Sequence, residues 1–251
     1  MADEVSPERQ KLLSILEHLT ELRERLVKSA VALLVGSAIC FFVSKPILLF
    51  LLVPMGDYPV MAPRPTTSIS IFMRISLVSG VILALPVIVY QLLCFITPGL
   101  TVRERRSLYW IIPGVTISFL GGAAFAYFVM VPAAIPFLLG FLADVIRPTW
   151  MVDEYISFVT ALIFWVGVSF ETPILLYFLA WLELVNAGLL LKGWRFAIVG
   201  IAVLAAAITP TPDPFNMMLV MLPLLLLYFL GVFLAWVAGR QRRKRDDASQ
   251  V

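Results

Sequence analysis

Phe215–Ala238 reads FNMMLVMLPLLLLYFLGVFLAWVA, twenty-four residues without a charged side chain. At a rise of about 1.5 Å per residue, a helix of that length reaches about 36 Å, enough to cross a hydrocarbon core of about 30 Å. Directly behind it come Arg240, Arg242, Arg243, Lys244 and Arg245. Just ahead of it lies Thr209-Pro210-Thr211-Pro212-Asp213-Pro214, where three prolines forbid helix continuation. An apolar run with a turn at one end and a cationic cluster at the other reads as a membrane span whose charged end is cytoplasmic.

The rest of the chain repeats this pattern. Further apolar runs cover Val27–Ser44, Ser68–Phe95, Leu108–Val131, Ile156–Leu182 and Phe196–Thr209. Of 251 residues, 61% are hydrophobic and 14% charged, and the mean hydropathy is +0.97. Soluble domains run about 45–50% apolar and about 25% charged, so the excess excludes a soluble enzyme, a disordered chain and a disulfide scaffold. The runs are continuous rather than alternating, which argues against a β-barrel. The expected fold is an all-α integral membrane protein, one domain over 1–251, with six transmembrane helices. Pro86, Pro113, Pro173 and Pro223 fall inside runs and can bend their helices, which points to a kinked, concave bundle. The fifth run, counted from Arg195 to Thr209, gives only about 22 Å of helix; a short span thins the lipid around it.

Positive charge sets the orientation. Arg9, Lys11, Arg23, Arg25 and Lys28 precede the first run. Arg103, Arg105 and Arg106 lie between the second and third, Lys192 and Arg195 between the fourth and fifth, and the C-terminal five follow the sixth. Only Lys45, Arg64, Arg74 and Arg147 fall on the other side. Both termini are therefore expected in the cytoplasm. Six acidic residues precede the first run where a cleaved leader would be short and basic, so that run reads as a retained helix. Residues 1–26 read as an amphipathic helix at the cytoplasmic interface, with Leu12, Leu16, Leu19, Leu22 and Leu26 at three- and four-residue steps. Residues 240–251 read as a basic tail. Its cluster resembles a nucleic-acid patch in composition, but directly behind a span it is better read as an orientation signal against anionic lipid. Lys45–Thr67 and Pro132–Tyr155 are the external loops. Gly114 and Gly121-Gly122 permit close helix contact. Cys40 and Cys94 fall near opposite faces and read as two apolar thiols rather than a disulfide.

Few polar residues need a chemical explanation. Glu171, in Val166-Gly167-Val168-Ser169-Phe170-Glu171-Thr172-Pro173, lies mid-span. An ionisable group there costs about 2.5–3.5 kcal/mol on insertion scales. It reads as a functional acid facing a cavity or partner, against a bland alternative in which its carboxyl bonds a carbonyl freed by Pro173. Glu104, in Phe95-Ile96-Thr97-Pro98-Gly99-Leu100-Thr101-Val102-Arg103-Glu104-Arg105-Arg106, reads by physics alone as a solvated loop acid. Glu21 with Arg25 and Glu24 with Lys28 are i, i+4 helix pairs. His18, the single histidine, reads as a helix-face residue, and Asp213 as a turn acid. One histidine and two separated cysteines cannot build a soft-ligand metal or haem site. There is no phosphate-binding glycine loop and no Gly-x-Ser-x-Gly or His-Glu-x-x-His. No cofactor and no enzyme activity is expected.

Four stretches together resemble one family. His18-Leu19-Thr20-Glu21-Leu22-Arg23-Glu24-Arg25-Leu26 is similar to the N-terminal signature of TatC, the polytopic subunit of the twin-arginine translocase. The Phe95…Pro98-Gly99-Leu100…Glu104-Arg105-Arg106 loop, Phe170-Glu171-x-Pro173 and the Thr209–Asp213 tip match in the same order. The resemblance implies a receptor for signal peptides with consecutive arginines, serving export of folded proteins driven by the proton motive force. It implies that Glu21 and Glu104 contact the arginine pair from the cytoplasmic face of a bacterial inner membrane, with Arg23, Arg105, Arg106 and His18 around them. A planar guanidinium fork suits a carboxylate. Glu171 and Pro173 would lie where the apolar part of the peptide or a partner helix docks. Single-span TatA- and TatB-like partners and self-association in a larger complex are further implications. The chain departs from the family where Tyr228 is followed by Phe229, around Thr67, and at Pro214-Phe215-Asn216. The alternative from another class is a proton-coupled secondary transporter using Glu171; it predicts further mid-membrane charges and repeat symmetry, and neither is visible.

Overall fold

The amphipathic stretch and the first apolar run form one helix in the computed structural model: α1 runs unbroken over Pro7–Phe42. The structure describes the backbone of residues 7–56, 58, 60–96, 102–140, 150–182, 184–209 and 213–249, and side chains within 18–56, 58, 60–95, 112–140, 150–182, 184–209 and 213–240. After α1 come α2 (Ser44–Leu52) and a single 3-10 turn, Val53–Met55. Then follow α3 (Thr67–Ile96), α4 (Val102–Phe125), a π-helical turn (Ala126–Met130) and α5 (Val131–Gly140). The remaining helices are α6 (Val152–Phe170), α7 (Thr172–Trp181), α8 (Ala187–Lys192), α9 (Trp194–Ile208) and α10 (Pro214–Ser249). Two short strands, β1 (Val60–Met61) and β2 (Trp150–Met151), pair in parallel and tie the segment after α2 to the start of α6.

The protein is a multi-pass membrane protein. Among the described residues, five helical stretches are long and apolar enough to cross a bilayer: His18–Phe42, Thr67–Phe95, Ile112–Gly140, Val152–Trp181 and Pro214–Arg240. The sixth expected span is α9, a shorter apolar helix of 15 residues. The third run continues past Val131, where the sequence reading placed the start of a loop, to Gly140. Pro132 falls in the first turn of α5, where a missing N–H is tolerated, and the π turn ahead of it widens the backbone. Helices α3, α4 and α10 run through Pro86, Pro113 and Pro223. Only Pro173 marks a break: α6 stops at Phe170, Glu171 is a turn, and α7 restarts at Thr172.

Close packing depends on small residues. Along the α1–α3 pairing, a Cβ on Gly36 would sit 2.7 Å from the Gly80 carbonyl oxygen, so the two backbones touch. That contact is available only to glycine, and it is the way helices associate where lipid supplies no hydrophobic drive. Gly122 packs against Phe170, whereas Gly121 has open space beside it and Gly114 only an ordinary contact with Ile174. The largest core cluster gathers Leu51, Met55, Ile75, Tyr155 and Leu162 where α2, α3, α5 and α6 meet. Tyr127 Oη donates to the Phe50 carbonyl at 2.6 Å and Tyr155 Oη to the Leu51 carbonyl at 2.7 Å. The hydroxyls of Ser44 and Ser76 lie 2.7 Å apart and join α2 to α3.

Candidate functional site

At the far end of α3 from that core, α1 and α3 bring several of the singled-out residues together. His18, Glu21 and Arg25 recur at helical spacing on the stripe of α1 that faces α3. The Arg25 guanidinium bridges the helices: Nη1 donates to Gln91 Oε1 at 3.1 Å and Nη2 to Glu21 Oε1 at 3.2 Å. The His18 ring stacks on Phe95, centroids 4.4 Å apart. The Arg25 and Glu21 side chains retain 27% and 29% of their exposure, so the pair is solvated and worth about 0.2–1 kcal/mol. It is therefore exchangeable: one guanidinium can replace another on the Glu21 carboxylate at little cost. Glu24 and Lys28 pair more loosely, at 4.0 Å, and Arg23 is exposed.

Gln91 is the residue that sequence reading missed. Its signal is an amide in the apolar second half of its span, and it is buried against α1. Glu104, Arg105 and Arg106 stand in the first turns of α4, where an acid is favoured by the helix dipole; their side chains lie outside the described residues.

Glu171 sits at the α6–α7 break, and its Oε1 is shielded from solvent with no hydrogen-bond partner among the described residues. The bland reading, a carboxyl bonded to a freed carbonyl, is not what the geometry contains. The carbonyl that Pro173 leaves without its usual donor is that of Ser169, which accepts from the Glu171 N–H; the neighbouring Phe170 carbonyl accepts from Ser118 Oγ, 2.7 Å away on α4. Pro173 is buried, with its Cα in the way of any Cβ added at Gly231 of α10. Asp213 caps α10: Oδ1 accepts the Asn216 N–H at 2.7 Å and Oδ2 accepts from Asn216 Nδ2 at 2.8 Å. An acidic N-cap with that bond to the third helical N–H is a recurrent stabilising arrangement. Arg240 lies over the Trp236 ring at 4.0 Å, at the exit of α10 from its apolar stretch. Cys40 and Cys94 are free. Among the described residues, no three His, Cys, Asp or Glu side chains group as metal ligands.

The family model described as Sec-independent protein translocase protein (TatC) matches residues 17–223. The chain is 38% identical over 228 residues to the TatC protein of Synechocystis sp., covering 91% of this chain and 90% of that one. It is 40% identical over 231 residues to the TatC protein of Deinococcus radiodurans, covering 89% and 86%. It is 38% identical to the chloroplastic TATC protein of Arabidopsis thaliana, covering 92% of this chain and 68% of the relative. A solved structure described as the twin-arginine translocase receptor TatC superposes with a TM-score of 0.81 at 38% identity, covering 88% of this chain and 99% of the other. These are components of a protein translocase, a transport family rather than a catalytic one. By the span of that match, and by identity extending over about nine-tenths of its length, the chain belongs to the TatC family of Sec-independent protein translocase proteins.

Proposed function

We propose that this chain is the receptor subunit of a twin-arginine translocase. It binds signal peptides carrying consecutive arginines and scaffolds single-span TatA- or TatB-like partners for export of folded proteins, driven by the proton motive force. In this reading the chain crosses a bacterial inner membrane six times, with α9 as the short span and both ends in the cytoplasm. Residues 1–251 form one domain, 1–26 an amphipathic cytoplasmic helix and 240–251 a basic cytoplasmic tail, and the chain self-associates in a larger complex.

The observation that carries the reading is the solvated Glu21–Arg25 pair, held across α1 and α3 by Gln91. It is a carboxylate oriented for a guanidinium, at the end of the bundle that positive-inside puts in the cytoplasm. Glu21 and Glu104 take the two arginines of the peptide, while Arg23, Arg105, Arg106 and His18 frame the site and limit it to that pair. A lysine supplies a point charge without the planar fork and binds less well. Glu171 and Pro173 serve a later step, at the helix break where an apolar segment or a partner helix docks, and Asp213 shapes the external tip.

The test is binding of a labelled signal peptide to the purified protein in detergent, comparing Arg-Arg with Lys-Lys at the paired position. Glu21→Ala and Glu104→Ala are each expected to weaken Arg-Arg binding severalfold, since a solvated carboxylate–guanidinium pair contributes about 0.2–1 kcal/mol. Glu171→Gln is expected to leave peptide binding intact and to impair transport. Equal binding of both peptides would break the reading and favour proton-coupled uptake through Glu171 as the next assay.

A further inference from the structure

The last turn of α9 reaches a space at the end of the bundle remote from Glu21. A cavity of about 690 Å³ opens between the first turns of α3, the start of α6 and the end of α9. That is within the range of about 300–1,000 Å³ typical of ligand sites. Arg74 stands in one wall, and Asp153 and Glu154 stand in another. None of the three forms an ion pair among the described residues. Asp153 Oδ1 is shielded from solvent and has no hydrogen-bond partner among the described residues. The acids occupy the first turn of α6, where the helix dipole favours negative charge, but the dipole gives Oδ1 no donor. A shielded carboxylate oxygen without a donor is unfavourable, so the site is chemically incomplete as it stands.

The walls and depth define what would complete it. Trp150 and Phe158 also line the cavity, and aromatic rings of this kind collect at membrane–water interfaces. Arg74 lies seven residues into α3, about 10 Å along its axis, and Gln91 lies about 26 Å further on. That places the cavity at the head-group level of the opposite leaflet, with apolar Ile71 one helical turn outside Arg74 in the same wall.

We propose that this cavity binds the head group of a phospholipid bearing a primary ammonium, of the phosphatidylethanolamine kind, with its phosphate against Arg74 and its ammonium against Asp153 and Glu154. One cation and two acids repel an anionic head group and match a zwitterion. A quaternary ammonium offers no N–H, so it leaves Asp153 Oδ1 unsatisfied; a primary ammonium supplies three donors. The proposal uses none of the residues assigned to peptide recognition and stands or falls apart from that reading.

The experiment takes the full chain, purified in detergent and stripped of lipid. It adds phosphatidylethanolamine, phosphatidylcholine or phosphatidylglycerol of identical acyl chains, and counts retained lipid by native mass spectrometry. The ethanolamine lipid is expected to be retained about fivefold or more over the other two. Asp153→Asn is expected to reduce it to the choline level, and Arg74→Gln to lower retention of all three, while Glu24→Gln, at an exposed acid elsewhere, changes nothing. Thermal unfolding of each variant is followed in parallel. If Asp153→Asn does not fold, the three-lipid comparison on the unaltered chain still decides. Equal retention of ethanolamine and choline lipids, or an unchanged preference in a folded Asp153→Asn protein, would overturn the proposal. Displacement of bound lipid by equimolar glycerophosphoethanolamine would overturn it too, because the site would then be one for a soluble ligand.

Discussion

Where α2, α3, α5 and α6 meet, Tyr155 is fully buried and its hydroxyl reaches a backbone carbonyl of another helix. At the other end, Glu21 and Arg25 keep more than a quarter of their side-chain surface exposed and meet α3 through one amide. The same contrast runs across the helices. Within the apolar window of Ile112–Gly140, 44% of residues are buried, against 11% within that of His18–Phe42. One end of the bundle is a packed core with the cavity beside it, and the other is an open, solvated platform. The lesson is a division of labour: a surface whose ion pair exchanges freely needs a rigid base elsewhere, because its own contacts are too weak to hold two helices in register.

Four substitutions break or sharpen that contrast. The largest effect belongs to Leu162→Ala in the packed core, where Leu162 is fully buried. It is expected to cost about 2–5 kcal/mol, measured by denaturant unfolding in detergent; a loss below about 1 kcal/mol would mean that the core lies elsewhere. Gly80→Val comes next. Its side chain meets the Ser37 backbone, so α1 should be pushed off α3 at a cost of about 1–3 kcal/mol. Because Gln91 rides on the same helix, Arg-Arg peptide affinity should fall as well. Stability lost with affinity unchanged would show that the platform does not depend on this crossing.

Tyr155→Phe removes one hydroxyl and leaves the Leu51 carbonyl without it, an expected loss of about 1 kcal/mol in the same unfolding assay. Gln91→Leu should have the smallest effect on stability, since leucine fills the buried site on α3 while Arg25 stays partly solvated and keeps its pairing with Glu21. Its readout is affinity: Arg25 loses its anchor on α3, and Arg-Arg peptide binding should change severalfold while the melting curve stays in place. A large loss of stability in Gln91→Leu would erase the difference between the two ends.

Much of this was legible one stretch at a time. Phe215–Ala238 reads as a span and forms α10; the proline-rich tip reads as a turn, and Asp213 caps the helix that follows it. Glu171 reads as the polar exception within a run, and it falls at the break that Pro173 imposes. Each depends on neighbours within a few residues. The end of the third run was misjudged because Pro132 looks like a stop in isolation, whereas in place it occupies a helical first turn behind a π turn. Glu104 was found through its motif, and α4 gives it a place in a first turn.

By itself, then, the amino-acid sequence determined what is local: which segments are too apolar for water, where prolines end them, which side their cations favour, and which motifs they carry. Only the tertiary structure decided what depends on distant partners. Gly36 could be assigned its role only with Gly80 against it, Arg25 only with Gln91, sixty-six positions away, and Tyr155 only with the Leu51 carbonyl, 104 positions away. The cavity between α3, α6 and α9 likewise exists only once these helices are packed together. Hydropathy and helix geometry act along a few turns of chain, whereas packing and hydrogen bonding between helices act through space, between residues whose separation in sequence carries no information about their contact.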